Sequence, residues 1–208
     1  ALGHHAEDSG DLVSARDFYV RAAEYINPDA MLALARFHIE GLGGGPVDPD
    51  AAFAILRRAL NEGVTEAQIS LGEMAIRDML GTLAAPHQSV PWVLAAFQAG
   101  VPGAQDWLRA QAEVGIRPAQ SALGRALLED GEAAAAAPLL QAAAEAGDVP
   151  AQAALGEIYV TGTGVEVDYV AAHTWLNLAA AQGWVSAVAT RDTVTALMTP
   201  EEVATAQA

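Results

Sequence analysis

The chain has 208 residues, 52% of them hydrophobic, and a formal net charge of −16. That charge repels phosphate backbones and anionic lipid, which argues against nucleic acid or a membrane surface as partner. All ten basic residues are arginine and cysteine is absent, so lysine-based chemistry, disulfides, thiolate metal sites and a cysteine nucleophile are excluded.

No run of about twenty apolar residues occurs, so no membrane-spanning helix is expected, and no signal peptide is visible. Ala1-Leu2-Gly3 reads as a Leu-Gly pair partway along a first helix, so the chain is expected to open inside a repeat. A second helix follows Gly10, with Ser14, Phe18, Ala22 and Ala23 in one register. Asn27-Pro28-Asp29 is a helix start, since Asn caps and Pro suits the first helical position. The next unit carries Ala30, Leu34, Ala35 and His38, then a glycine-rich loop at Gly41–Gly45. Asp48-Pro49-Asp50 opens its second helix, which carries Ala51, Ile55 and Ala59 and closes at Gly63. A third unit starts at Ala67 with Leu71-Gly72, and its long loop is expected to carry Gly81, Pro86, His87 and Pro91 before Trp92 restores the second-helix register.

The spacing of the equivalent leucines exposes the repeat. Leu2 to Leu34 is 32 residues and Leu34 to Leu71 is 37, but Leu71 to Leu123 is 52. The surplus is one irregular, unpaired helix near 103–116, centred on Trp107. The series resumes at Leu123-Gly124, turns tightly at Asp130-Gly131, and reaches Leu155 after another 32 residues. The last unit is the most regular. Ala151, Leu155, Ile158 and Tyr159 share a face of its first helix, and Gly162-Thr163-Gly164 ends that helix. Ala171, Trp175, Leu178 and Ala179 are expected to form the apolar face of its second helix, and Gly183 closes it. Ala187 then falls 36 residues after Ala151. A period in this range indicates stacked units, each too small to bury its apolar face alone. Thr199-Pro200-Glu201-Glu202 has the form of a capping box, and 188–208 is read as a segment capping the stack.

The pattern of Ala151, Leu155-Gly156, Tyr159, Gly162, Gly164-Val165, Asp168, Ala171, Trp175, Ala179-Ala180 and Gly183 resembles the Sel-1-like repeat, a relative of the tetratricopeptide repeat. The resemblance implies an all-α fold, an α/α superhelical solenoid of helix–loop–helix repeats, here one domain over 1–208. It implies protein–protein interaction as the function. It also implies a bacterial setting, often the envelope or a secretory-pathway complex; the compartment, periplasmic or cytoplasmic, stays open.

No residue set for catalysis is visible: there is no Gly-x-Ser-x-Gly and no His-Glu-x-x-His. Gly41–Pro46 fits no phosphate-binding fingerprint. His4 and His5 lie near Glu7 and Asp8, but side chains at a terminus rarely build a closed metal site. His38 takes the place of Tyr159 and is read as a packing residue, and His173 is placed on the solvated side of its helix. Trp92, Trp107 and Trp175 share a core register, whereas Trp184 is open between packing and a contact surface. No cofactor or metal is expected.

By the same resemblance, first helices line a concave face. Two positions after each repeat leucine stand His4, Arg36, Glu73, Arg125 and Glu157, and five positions after stand Glu7, Ile39, Ile76, Leu128 and Val160. The first row alternates in sign and the second is mostly apolar, which suits a groove for an extended peptide or a helix. The expected function is a non-catalytic scaffold that binds a peptide or partner protein through Arg36, Ile39, Glu73, Ile76, Arg125, Leu128, Glu157 and Val160. The alternatives are a repeat module of a longer enzyme or regulatory protein, and a self-associating structural protein.

Overall fold

Short polar caps start the helices. Asp11, Asn27, Asp48, Asp148 and Asp168 each accept a hydrogen bond through a side-chain oxygen, from the backbone N–H of Ser14, Ala30, Ala51, Ala151 and Ala171, at 2.9–3.1 Å. Each such bond satisfies a donor that the helix itself leaves unpaired. In the computed structural model, which describes residues 2–208, these and other starts give an all-α chain with no strand among the described residues. The helices are α1 Leu2–Asp8, α2 Leu12–Glu24, α3 Pro28–Glu40, α4 Pro49–Asn61, α5 Ala67–Ile76, α6 Pro86–Gln98 and α7 Ala104–Glu113. They continue with α8 Arg117–Glu129, α9 Ala133–Glu145, α10 Val149–Thr161, α11 Tyr169–Ala181, α12 Val185–Thr195 and α13 Pro200–Ala206. Ala1 lies outside the described residues. The chain forms two compact units, which divide between Trp107 and Leu108 within α7.

In each unit the helices pair as hairpins, and the repeat glycine governs how closely they pair. A Cβ built on Gly156 would lie 2.6 Å from Leu176 Cγ, and one on Gly124 would lie 2.8 Å from Leu140 Cγ. In the first unit Gly3 faces Tyr19 in the same way, and Gly72 faces the Trp92 carbonyl. The missing side chain lets the second helix come down onto the first and bury its central residue. That residue repeats as Tyr19, Leu56, Val93, Leu140 and Leu176, all buried. Small residues flank it a turn away on either side, as in Ala15 and Ala23, Ala52 and Ala59, and Ala172 and Ala179.

This register lies one residue beyond the expected one. In α11 the buried face is Ala172, His173, Leu176 and Ala179, while Leu178 is 42% exposed and Trp175 is half-buried. His173, expected in solvent, is 3% exposed. In α2 it is Tyr19, not Phe18, that enters the core. Trp92 is buried, whereas Trp107 and Trp175 sit half-buried at the flank of their helices. The bulk of an indole is accommodated beside the close hairpin contact more readily than inside it.

The third hairpin also differs from expectation. Pro86, His87 and Pro91, expected in the loop, all belong to α6, and the loop ends at Ala85. A proline in the second turn of a helix removes one N–H that would have bonded the carbonyl of residue 87. Pro91 and His87 are both exposed, so water can take that carbonyl.

Two loops reach back to the preceding hairpin. Gly162 caps α10 in the left-handed conformation, and Asp168 N–H donates to the Tyr159 carbonyl at 3.0 Å. This folds the loop so that Gly164 lies against the start of α9, with Ala133 C and Ala134 N each 2.6 Å from where its Cβ would be. The earlier glycine-rich loop repeats every part. Gly41 caps α3, Asp48 N–H donates to the His38 carbonyl at 2.8 Å, and Gly43 packs on Leu12 and Arg16 at the start of α2. Amide side chains make a second link from a first helix to the helix before it. Gln120 and Gln152 donate to the Ala112 and Ala144 carbonyls, both at 3.2 Å. At the C-terminal end the capping box forms as expected, with Glu202 N–H donating to Thr199 Oγ1 at 3.2 Å and Thr199 N–H to Glu202 Oε2 at 2.7 Å. Thr174 Oγ1 also donates to the Ala206 carbonyl at 3.3 Å, which ties α13 to α11.

Candidate functional site

The first helices of the N-terminal unit lie side by side around one cleft. α1, α3 and α5 line a cleft of ≈690 Å³ with His4, Glu7, Arg36, Ile39 and Glu73, and Tyr19 of α2 forms part of its wall. Arg36, Ile39 and Glu73 therefore share one space, although they lie up to 37 residues apart in the chain. Ile76, one turn further along α5, lies outside that lining and faces Gly103, whose missing Cβ would be 3.2 Å from it.

The cleft wall is held by a polar cluster. Tyr19 Oη donates to Glu7 Oε2 at 2.7 Å, and Arg36 donates to the other oxygen of the same carboxylate. Arg36 also lies 3.9 Å from Glu40. The Tyr19 hydrogen bond, and after it the Arg36 guanidinium, hold the Glu7 carboxyl below its ordinary range despite partial burial. Burial, together with the Glu7 carboxylate, pushes the Tyr19 phenol well above its ordinary value. The Tyr19 ring packs edge-on between His4 and Phe37, at 5.6 and 5.4 Å between centroids. Arg36 is thus fixed as part of the wall. Asp8, Asp29 and Glu73 line the same cleft with no ion pair within 4 Å among the described residues, and Arg77 stands with them.

In the C-terminal unit Arg125, Leu128 and Glu157 line a smaller cleft of ≈280 Å³ on α8 and α10, with Trp184 beside them. Val160 lies outside it and packs against the cluster of Ala172, Leu176 and Val194. Glu157 keeps an open surface, yet neighbouring protein pushes its carboxyl above the ordinary value by burial. Trp184 packs on that cluster and also lines the cleft.

Sequence reasoning missed Tyr19, Asp29 and Arg77 as cleft residues. For Tyr19 the signal was present: Ala15, Tyr19 and Ala23 recur every four residues in α2. Asp29 and Arg77 carry no such signal, because they enter from a helix start and a helix end. Among the described residues no group of three or more His, Asp or Glu is placed to hold a metal ion, and no helix is long and apolar enough to cross a membrane.

Comparison with solved structures finds similar folds. One is the c5321 protein, described as a protective antigen of uropathogenic Escherichia coli with an SLR fold. It is 21% identical, with a TM-score of 0.41, over 99% of this chain and 58% of its own. Another is a Sel1 repeat protein from Oxalobacter formigenes, 26% identical with a TM-score of 0.46, over 88% of this chain and 49% of its own. The chain thus spans about half the length of these structures. No curated protein matches it significantly. The Sel1 repeat family model matches residues 28–64 and 149–184. These are the two segments whose glycine loops reach back through Gly43 and Gly164 to the helix of the preceding hairpin, and over them the chain carries Sel1 repeats.

Proposed function

We propose that this chain is a non-catalytic scaffold that binds a peptide or partner protein along its first-helix faces. Sel1 repeats are typically protein-interaction modules. The observation that carries the reading here is the cleft in which α1, α3 and α5 present Arg36, Ile39 and Glu73 together with the unpaired carboxylates Asp8 and Asp29. Its walls offer apolar surface from Leu32 and Ala33 between charges of both signs, while Ile39 is buried within the wall; apolar surface flanked by both charges orients an extended segment while burying its side chains. Arg125, Leu128 and Glu157 offer a second, smaller contact of the same kind.

The test is capture of a partner from lysate of the source organism by the wild-type chain and by a Glu73→Arg, Arg125→Glu variant. Both substituted positions are free of ion pairs among the described residues, so the melting temperature should not change. A protein captured by the wild type and lost by the variant supports the first-helix site. Equal capture by both removes these residues from the site.

A further inference from the structure

A second concave feature in the N-terminal unit shares no residue with the first-helix cleft. α4 places Phe53 and Arg57 one turn apart, α6 places Gln88 and Trp92 one turn apart, and the loop before α6 adds Leu83 and Ala84. Together they enclose a notch of ≈300 Å³, near the lower end of the size range of small-molecule sites. From this notch we propose a binding site for a small amphiphile that carries a carboxylate on an apolar body.

The argument starts from Arg57. Its guanidinium carbon lies 5.7 Å from the centroid of the Trp92 ring and 6.0 Å from that of Phe53. The two rings meet edge to face at 6.1 Å, so the arginine is held over a rigid aromatic corner. A cation–π contact of this kind uses none of the guanidinium's N–H donors as hydrogen bonds and leaves them available. Arg57 has no carboxylate within 4 Å among the described residues. Gln88 is oriented too: its Oε1 accepts the Ala85 N–H at 3.0 Å, which leaves its NH2 group to donate. The polar side chains of the notch are therefore two donors. Of the chain's 26 acidic residues none lines it, whereas five line the first-helix cleft. In a protein of net charge −16, a preorganised cation with no internal partner marks a place for an external anion.

Size and charge narrow the class. One planar guanidinium fork matches one planar carboxylate. A phosphate dianion would bring twice the charge into the field of an acidic protein with a single arginine to meet it. Phe53, Leu83 and Ala84 supply the apolar walls for a short aliphatic body. Such a carboxylate can come from a free acid or from the C-terminal residue of a polypeptide.

The experiment follows the Trp92 indole N–H by NMR, assigned with Trp92→Phe, during titration to about 20 mM. The probes are hexanoate, which represents a free acid, and N-acetyl-leucine, which represents a polypeptide C-terminus. Each is paired with its uncharged amide. Expected are saturable shifts with an acid, at least about ten-fold weaker binding of its amide, and about ten-fold weaker binding of the acid to Arg57→Gln. The tighter of the two acids identifies the source. Amides that bind as well as acids, or the lack of any shift with either acid, overturn the proposal. The acid–amide comparison is made on the wild-type chain, so it stands even where Arg57→Gln alters folding.

Discussion

Gly156 and Leu176 meet where a methyl group has no room, since a Cβ on Gly156 would lie 2.6 Å from Leu176 Cγ. The equivalent position in the second hairpin is Ala35, fully buried without conflict. The hairpins therefore differ in how close their helices stand, and the small residue is matched to its partner. Gly156→Ala should destabilise the C-terminal unit by about 1–3 kcal/mol, the usual cost of overpacking a filled core, although alanine is the better helix former. Urea unfolding measures it. A stabilised variant would mean that α11 moves away at little cost and that the glycine does not set the hairpin spacing.

The loop glycines separate two costs. Gly164 and Gly183 both have positive φ, 75° and 90°, but only Gly164 is crowded, against Ala133 and Ala134. Gly183→Ala should cost about 1–2 kcal/mol, from the left-handed backbone alone. Gly164→Ala should cost that plus about 1–3 kcal/mol from forcing the loop off α9. Equal melting temperatures for the two variants would show that the loop contact with the preceding hairpin contributes nothing to stability.

Arg36 and Arg125 stand at the same repeat position but in different surroundings. Arg36 donates to Glu7, whose carboxylate also holds Tyr19. Both partners of the ion pair are partly exposed, so reversal to Arg36→Glu should cost about 1 kcal/mol, mostly from two carboxylates facing each other. Arg125 is exposed with no ion pair among the described residues, and Arg125→Glu should stay within about 0.5 kcal/mol of the wild type. Thermal unfolding of the two single variants checks this. It also explains why Glu73, and not Arg36, serves in the capture test.

Helix starts, closing glycines and repeat lengths were legible in the sequence because caps and turns are local chemistry. The capping box at Thr199 and Glu202 formed from four consecutive residues with no help from the rest of the chain. The second-helix register was not legible, and the reason is alanine. In α11 the pairs Ala171-Ala172 and Ala179-Ala180 are apolar on two neighbouring faces, so hydrophobicity alone does not choose between Trp175 and Leu176 as the central residue. The choice falls to Gly156, which sits on another helix and admits a leucine where an indole would not pack. His173 was misplaced for the same reason, since it follows the buried register of Ala172. The row of residues two positions after each leucine came from the repeat resemblance, and its members His4, Arg36 and Glu73 line the N-terminal cleft. The Glu7 link to Arg36 spans 29 residues and exists only once α1 and α3 lie side by side.

The buried position of His173 gives the C-terminal unit a pH dependence with a definite sign. Its Nδ1 has no hydrogen-bond partner, and burial, followed by the nearby Arg191 charge, holds its pKa below the ordinary value of 6.5, with Asp192 opposing in part. Below pH 6.5 the unfolded chain therefore takes up a proton that the folded chain refuses. The unfolded state then binds more protons, so stability rises with pH across the window between the folded and unfolded values. The contribution is complete above pH 6.5 and is lost as pH falls through the folded value. Glu157 in the same unit acts in the opposite sense, because burial raises its carboxyl above 4.5 and acid then favours the folded state. The comparison that isolates the histidine is wild type against His173→Leu, with hydrogen-exchange protection factors of the α11 amides read at pH 7.5 and pH 5.5. The wild type should lose protection at the lower pH and the variant should not. A variant that loses as much as the wild type would place the titrating group elsewhere. His38 in the N-terminal unit has the same features, a pKa lowered by burial and an unpartnered Nδ1, so the α3 amides should lose protection at pH 5.5 in the same sense.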